Sequence, residues 1–199
     1  MTQRRMILAI DTSLGTSVAV VDGDTVVFRE HAADARRHAE HLGGMLSRAL
    51  DGRRSSIGLV VAGMGPGAFT GLRVGIAAAR AAALGLGVPC RGIASHAGVT
   101  AGSAQVTTDV RRRERGWSIV LDGLVVDGPF LAPADAVPPP TEAGSSGEHA
   151  GLPRIDADVV DAALLALAAS RGAAEVAQAL YLRDADAVPS AGPKRVSQA

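Results

Sequence analysis

The residues with the clearest potential for chemistry form one short segment near the start of the sequence. Residues 11–16, Asp-Thr-Ser-Leu-Gly-Thr, follow an apolar run at residues 6–10. A carboxylate there can hold a magnesium ion or a water molecule, while the turn behind it offers N–H groups and hydroxyls to a phosphate. Alternatively, the carboxylate ends a strand and hydrogen-bonds the turn that it begins. The candidate phosphate-loop residues are Asp11, Thr12, Ser13, Gly15 and Thr16.

A complete ATP site needs a second phosphate loop, and the sequence offers no convincing one. Asp122-Gly123 and Asp127-Gly128 are typical of hairpin turns. The glycine-rich stretch at residues 63–67 lacks the Gly-Lys-Ser/Thr ending of a P-loop. With half of a site, nucleotide affinity is low and phosphoryl transfer is badly positioned. We therefore expect weak or no ATP binding and no bound cofactor.

Histidines at the start of a predicted helix raise the possibility of a metal site. His38 and His41 flank Glu40 in the order His-Ala-Glu-His. A zinc peptidase instead uses His-Glu-x-x-His, which places both histidines and the glutamate suitably around the metal. No third ligand is apparent, so we predict a polar helix start and no metal site.

Two other polar groups do not complete a site. The Ser95-His96 pair and Ser118 lack a partner base and the elbow glycines of a nucleophilic triad.

The single basic cluster, Arg111–Arg115 with Trp117, is typical of a solvated hairpin start, and a minor contact with RNA is the alternative. The sequence has equal numbers of basic and acidic residues, 20 of each, which argues against a protein that binds nucleic acid with its whole surface.

The elements that would position these residues follow an α/β pattern. Apolar runs and helical spacing predict a first domain over residues 1–95 with the order β-β-β-α-β-α-β. Thr70 is the expected N-cap of its second helix. The predicted strands are residues 6–13, 16–21, 25–30, 57–62 and 91–94, and the predicted helices are residues 37–50 and 70–87.

The second half repeats this pattern in a shortened form. Residues 96–199 predict a second domain with a flexible loop at about 133–151 and a C-terminal tail. Two such units predict duplicated ribonuclease-H-like domains, as in the actin, hexokinase and Hsp70 superfamily. The predicted strands are residues 105–110, 116–121, 124–126 and 179–183, and the predicted helix is residues 156–171.

Residues 71–90 form the longest apolar stretch, but two arginines, Arg73 and Arg80, argue against a membrane span. The N-terminal apolar run is too short for a signal peptide, and the one cysteine provides no disulfide. We expect a cytoplasmic protein without membrane contact.

Small residues on the predicted second helix, Gly71, Gly75, Ala78 and Ala82, are spaced three and four apart. This spacing allows another helix to approach closely, either from within the subunit or from a second subunit.

Several segments together resemble the TsaB family, also called YeaZ. The glycine-rich loop and helix start are the most specific of them. The resemblance implies an actin-like fold and a role in making threonylcarbamoyladenosine beside the anticodon of tRNA. The matching segments are residues 7–13 and 18–20, 38–42, 65–75, 109–114, 181–187 and 193–196.

In that family the catalyst is the paralogue TsaD, the ATPase is TsaE, and TsaB is a non-catalytic scaffold. The resemblance therefore implies a TsaD heterodimer, a TsaE contact, a possible homodimer and only indirect contact with tRNA. The implied intersubunit surface comprises Leu42, Met45, Leu46, Gly71, Gly75, Ala78 and Ala82.

We expect Gly75→Leu to block association without unfolding the subunit. The alternative functions are an ATP-dependent small-molecule kinase or ATPase of the same superfamily, which depends on residues 11–16, and a metallopeptidase-like protein, which depends on the histidines.

Overall fold

The computed structural model describes residues 5–34, 37–110, 113–139 and 151–181. Within these ranges the chain forms an α/β fold with two sheets, nine strands and three α-helices. The α/β class agrees with the sequence pattern. The C-terminal tail beyond residue 181 and most of the predicted loop, residues 140–150, lie outside the described residues.

The first sheet has five strands in the order β3-β2-β1-β4-β5. The first three strands form an antiparallel meander, whereas β4 pairs parallel to β1 and to β5. Because β1 and β4 are parallel neighbours, the loops that follow them meet at the same edge of the sheet. The strands are β1 (Met6–Asp11), β2 (Thr16–Asp22), β3 (Thr25–Ala32), β4 (Ile57–Gly63) and β5 (Cys90–Ile93).

Helices cover both faces of this sheet, which explains the apolar sequence of its central strands. Helices α1 (His38–Leu50) and α2 (Phe69–Leu86) pack on the face that carries Leu8 and Ile10. Helix α3 (Ala162–Ser170) packs on the opposite face, against the intervening Ala9. The side-chain alternation of β1 therefore separates the two halves of the core.

The second sheet has four strands in the order β8-β7-β6-β9. Strands β6, β7 and β8 form an antiparallel meander, and β9 pairs parallel to β6. Asp122 and Gly123 turn the β7–β8 hairpin with φ of 50° and 79°, as a type I′ turn requires. The strands are β6 (Ala104–Asp109), β7 (Glu114–Leu121), β8 (Leu124–Pro133) and β9 (Arg154–Ala157).

The C-terminal elements differ from the sequence prediction. The predicted helix at residues 156–171 divides into β9 and the shorter α3, which begins after Asp161, whose side chain accepts a hydrogen bond from the Ala163 N–H at 2.8 Å. Residues 179–181 form no strand. Thr70 is not an N-cap either, because α2 begins at Phe69 after an extended Ala68.

Helix α3 follows the second sheet in sequence but packs on the first. Its Ala162 N–H donates to the Ser17 hydroxyl in β2 at 3.0 Å, and Arg29 of β3 pairs with Asp161 at 3.1 Å. The predicted boundary near residue 95 falls at the linker between the sheets, yet residues on both sides of it build the first sheet's core. Residues 1–95 alone therefore lack one covering layer of that sheet.

Candidate functional site

The candidate phosphate loop is buried beneath other parts of the chain. The Asp11 side chain is 1% exposed, and one of its oxygens, Oδ1, accepts hydrogen bonds from the N–H of Ser13 at 2.7 Å and from its hydroxyl at 2.5 Å. The other oxygen, Oδ2, accepts from the Ser95 hydroxyl at 2.5 Å. Both carboxylate oxygens thus have partners within the chain, and burial raises the pKa of Asp11 while these hydrogen bonds lower it.

Thr12 connects this loop to helix α2. Its hydroxyl donates to the Gly71 carbonyl at 2.7 Å and accepts from the Gly75 N–H at 3.1 Å. Ser13 lies against Gly67, where an added Cβ would come within 2.8 Å of the serine. The loop therefore packs against three glycines, of which one lies just before α2 and two lie in its first half.

Thr16 connects the same loop to helix α1. Its hydroxyl lies 2.9 Å from His38 Nδ1, and burial lowers the pKa of this histidine. Among the residues that the structure describes, no three His, Cys, Asp or Glu side chains form a group that could hold a metal ion. His38 therefore serves as a contact between α1 and the loop.

Ser95 and His96 are adjacent in a 3-10 turn, Ser95–Gly98, and bond to opposite sheets. Ser95 bonds to Asp11 of the first sheet, whereas His96 Nδ1 lies 2.7 Å from the Ser118 hydroxyl and Nε2 lies 3.2 Å from the Thr108 hydroxyl. Burial lowers the pKa of His96 to about 3, so its ring is neutral at ordinary pH. We call the chain of contacts from Thr12 and Asp11 through Ser95-His96 to Ser118 the buried polar network.

The expectation that Ser118 has no partner base was wrong, because His96 is within hydrogen-bond distance. The pair is nevertheless closed to substrate, since both side chains are 0% exposed. The other group on the imidazole is the Thr108 hydroxyl, not a carboxylate that would stabilise an imidazolium. The contact therefore ties the linker to the second sheet. The available signal for it was a serine-histidine pair shortly after the predicted strand at residues 91–94.

The structure separates the seven residues expected at an intersubunit surface into two groups. Leu46, Ala78 and Ala82 are half-buried, and they border exposed parts of α1 and α2. The other four are buried within the chain itself: Leu42, Met45, Gly71 and Gly75. A partner would therefore meet their exposed neighbours on the two helices.

Apolar side chains are exposed to solvent on those helices. Helix α2 is long and apolar enough to cross a membrane by length and composition, yet only 33% of it is buried. Leu84 is 85% exposed, and Ala77 and Ala81 are exposed beside it. On α1, the exposed Gly43 has no atom within 4 Å of an added Cβ. We call Gly43, Leu46, Ala77, Ala78, Ala81, Ala82 and Leu84 the outer helical surface.

A cluster of three side chains lies at the beginning of α2. The Arg73 guanidinium carbon lies 3.8 Å from the centre of the Phe69 ring, and its Nε donates to the Tyr181 hydroxyl at 3.3 Å. The two aromatic rings are 4.7 Å apart. Backbone hydrogen bonds from Val176 to Gly92 and from Leu180 to Met64 lead the chain to this position.

The basic cluster is only partly described, since Arg111 and Arg112 lie outside the described residues. Arg115 bonds to Asp156 of β9 at 2.8 Å. Trp117 is 8% exposed and its ring centre lies 4.6 Å from that of Phe130. These described members of the cluster pair within the second sheet and do not form an open aromatic surface for bases.

Comparison with known proteins finds sequence similarity over part of this chain and a shared fold. Residues 30–112 match the family described as TsaD, tRNA N6-adenosine threonylcarbamoyltransferase. Uncharacterized proteins of Mycobacterium bovis and Mycobacterium tuberculosis are each 41% identical over 157 residues, which cover 73% of this chain and 74% of theirs.

Among solved structures, two from Pseudomonas aeruginosa share the fold. One is described as an uncharacterized protein with similarity to peptidase YEAZ, with a TM-score of 0.72, 24% identity and coverage of 90% of this chain and 100% of its own. The other is YeaZ, with a TM-score of 0.66, 24% identity and coverage of 84% and 93%.

Proposed function

We propose that this chain, which belongs to the same family as these mycobacterial proteins, functions as the scaffold subunit of a tRNA threonylcarbamoylation complex. By its fold, it is a TsaB/YeaZ-like protein of the actin-like ATPase superfamily. As the scaffold subunit it binds a TsaD-type transferase, which carries out the chemistry. In this proposal the chain contributes no catalytic residue to the complex, and tRNA contacts it only through the complex.

The observation that carries this proposal is the outer helical surface. Packing on the first sheet leaves the apolar side chains of Leu84 and its alanine neighbours exposed to solvent. Exposed apolar patches on soluble domains are typical of protein contacts, because their burial releases water from apolar surface. Small side chains on both helices would let the helices of a partner approach closely.

The two arginines beside this surface favour a protein partner over a lipid bilayer. Arg73 and Arg80 are both exposed on α2, where a membrane span would place charges in hydrocarbon. Arg73 with Phe69 and Tyr181 also matches the residue types that dominate protein interfaces. We propose a cytoplasmic protein whose outer helical surface binds TsaD, or a second copy of this chain when TsaD is absent, with TsaE joining the assembled complex.

The kinase alternative depended on residues 11–16 and has little support in their geometry. Both oxygens of Asp11 are already engaged by serine groups, and the Thr12 hydroxyl is engaged by α2. A phosphate or magnesium ion would have to displace these partners. No described cluster favours the metallopeptidase alternative.

The experiment that tests the proposal is reconstitution with the TsaD paralogue of the same organism. The two proteins are co-expressed and purified by a tag on TsaD, and threonylcarbamoylation of tRNA is measured with and without this chain. We expect a stable complex and a loss of modification when the chain is omitted. Normal modification without this chain and without a complex would contradict the scaffold role, and ATP turnover that disappears in Asp11→Ala would instead support the kinase.

A further inference from the structure

One hydroxyl group bonds to both backbone groups of a helical hydrogen-bonding pair. Gly71 and Gly75 are four residues apart in α2, so the Gly75 N–H and the Gly71 carbonyl form a normal helical pair. The Thr12 hydroxyl bonds to both groups, at 3.1 Å and 2.7 Å. Thr12 is 1% exposed, which excludes water as a competing partner for its hydroxyl.

The glycines of α2 make this close approach sterically possible. An added Cβ at Gly75 would lie 2.2 Å from the Thr12 hydroxyl oxygen, and one at Gly71 would lie 3.0 Å from the Thr12 carbonyl oxygen. Real Cβ atoms do not approach an oxygen to 2.2 Å. The small-residue pattern of this helix thus accommodates a loop of the same chain on its inner side.

A side-chain hydroxyl that bonds to paired backbone groups of a helix competes with their own hydrogen bond, and such contacts are a recognised cause of bending in helices. Gly75 separates the first part of α2, which lies against the buried polar network, from a second part, residues 76–86, that carries the exposed Leu84. A change in the spacing between the Gly71 carbonyl and the Gly75 N–H would change the direction of this second part.

We propose that Thr12 is a positioning residue whose hydroxyl sets the direction of the second part of α2 and thereby the shape of the outer helical surface. Its relevance to a partner depends on the proposed function, whereas its effect on α2 does not. Thr12→Val keeps the shape of the side chain and removes the hydroxyl, so the Gly71 carbonyl is the one partner that remains for the Gly75 N–H. Thr12→Ser keeps the hydroxyl.

The first test uses the full chain alone. In the wild-type protein, NMR should detect a slowly exchanging Thr12 hydroxyl proton with a nuclear Overhauser effect to the Gly75 amide proton. Crystal structures should show a displaced Leu84 Cα in Thr12→Val and an unmoved one in Thr12→Ser. Absence of the hydroxyl signal, or an unmoved Leu84 in Thr12→Val, would overturn the proposal. Where Thr12→Val does not fold, an absent hydroxyl signal in the wild-type protein still overturns it.

The second test measures affinity for the TsaD paralogue at a temperature where all variants are folded. The matched control is Thr108→Val, which removes an equally buried hydroxyl, 1% exposed, from the second sheet. We expect the Kd to rise about tenfold in Thr12→Val and to stay within about twofold of wild type in Thr12→Ser and Thr108→Val. Equal affinity of Thr12→Val and Thr108→Val would overturn the effect on the partner. A wild-type chain that does not bind TsaD contradicts the proposed function instead, and the first test still decides the role of Thr12.

Discussion

The buried polar network and the outer helical surface make opposite use of their side chains. The network holds a carboxylate, hydroxyls and an imidazole, and all of these groups find partners inside the chain. The outer helical surface offers only glycine, alanine and leucine, and much of it faces solvent. The carboxylate, hydroxyl and imidazole groups thus stabilise the fold, while the exposed glycine, alanine and leucine residues remain available to a partner.

This contrast has a physical basis in desolvation. A buried polar group without a partner costs about 1–3 kcal/mol, so a network closed off from water must satisfy its members internally. Apolar surface has no such requirement and gains free energy from any cover that excludes water. A polar loop that is closed off from solvent therefore becomes part of the core, whereas an exposed apolar helix stays suited to association.

The largest expected effect concerns a glycine beneath the network. Gly75→Leu should lower the free energy of unfolding by about 3 kcal/mol or more, because the new side chain overlaps the Thr12 hydroxyl. This replaces the expectation that Gly75→Leu leaves the subunit folded. Urea denaturation measures the change. Gly85→Leu is the matched control on the same helix, since nothing lies within 4 Å of an added Cβ there, and equal losses in both variants would contradict the contrast.

The next effect is a pH dependence that originates in the network. The pKa of folded His96 is about 3 against 6.5 for the free side chain, so the unfolded chain binds a proton that the folded chain rejects. Stability from this group is complete above pH 6.5 and falls by about 1.4 kcal/mol per unit as the pH decreases toward 3.

His96→Gln removes this titration while keeping polar atoms near Ser118 and Thr108. Between pH 7 and pH 5, the wild type should therefore lose about 2 kcal/mol more unfolding free energy than the variant. Denaturant titrations at the two pH values measure this difference. Parallel pH profiles would show that water reaches the histidine in the folded state.

A smaller effect is expected on the other side of the comparison. Leu84→Glu should leave the free energy of unfolding within about 0.5 kcal/mol of wild type, because the side chain is 85% exposed. Its Kd for TsaD should rise about tenfold or more, since a charge would be buried at the interface. Val126→Glu, at an exposed apolar position of β8, is the control for a general effect of charge. Unchanged binding by Leu84→Glu would place the partner elsewhere.

The smallest effect concerns the aromatic cluster beside that surface. Tyr181→Ala removes the ring that lies 4.7 Å from Phe69 and should lower the free energy of unfolding by about 1 kcal/mol. Tyr181→Phe keeps the ring, loses only the hydrogen bond from Arg73 and should cost about half as much. Thermal melting of the two variants measures both values. A loss in Tyr181→Phe equal to that in Tyr181→Ala would mean that the hydroxyl, not the ring, holds the segment.

Local sequence patterns predicted the first sheet well because its elements are signalled by nearby residues. The apolar runs of β1 and β4 and the helical spacing of α1 and α2 lie within windows of fewer than twenty residues. Strand β9 was missed because its four residues alternate between partly buried and exposed positions and pair with a distant strand. The packing of α3 on the first sheet could not be predicted either, because no local sequence pattern specifies which sheet an apolar helix will cover.

The candidate site shows the same limit. Sequence spacing located the Asp11–Thr16 loop and the glycines of α2, but it could not reveal that one packs on the other. That contact joins residues 59 and 63 positions apart, between Thr12 and the two glycines. The role of His96 was missed for the same reason, since its partner Ser118 lies 22 residues away on another sheet.

The return of α3 to the first sheet has a consequence for synthesis on the ribosome. The contact between Ser17 and Ala162 joins residues 145 positions apart, and at about 5–20 residues per second the helix emerges about 7–30 s after the strand that it covers. During that interval, one apolar face of the first sheet, around Ala9, Ala19 and Val61, has no cover from its own chain. Until α3 is synthesised, the nascent protein therefore exposes apolar surface of the kind that chaperones bind.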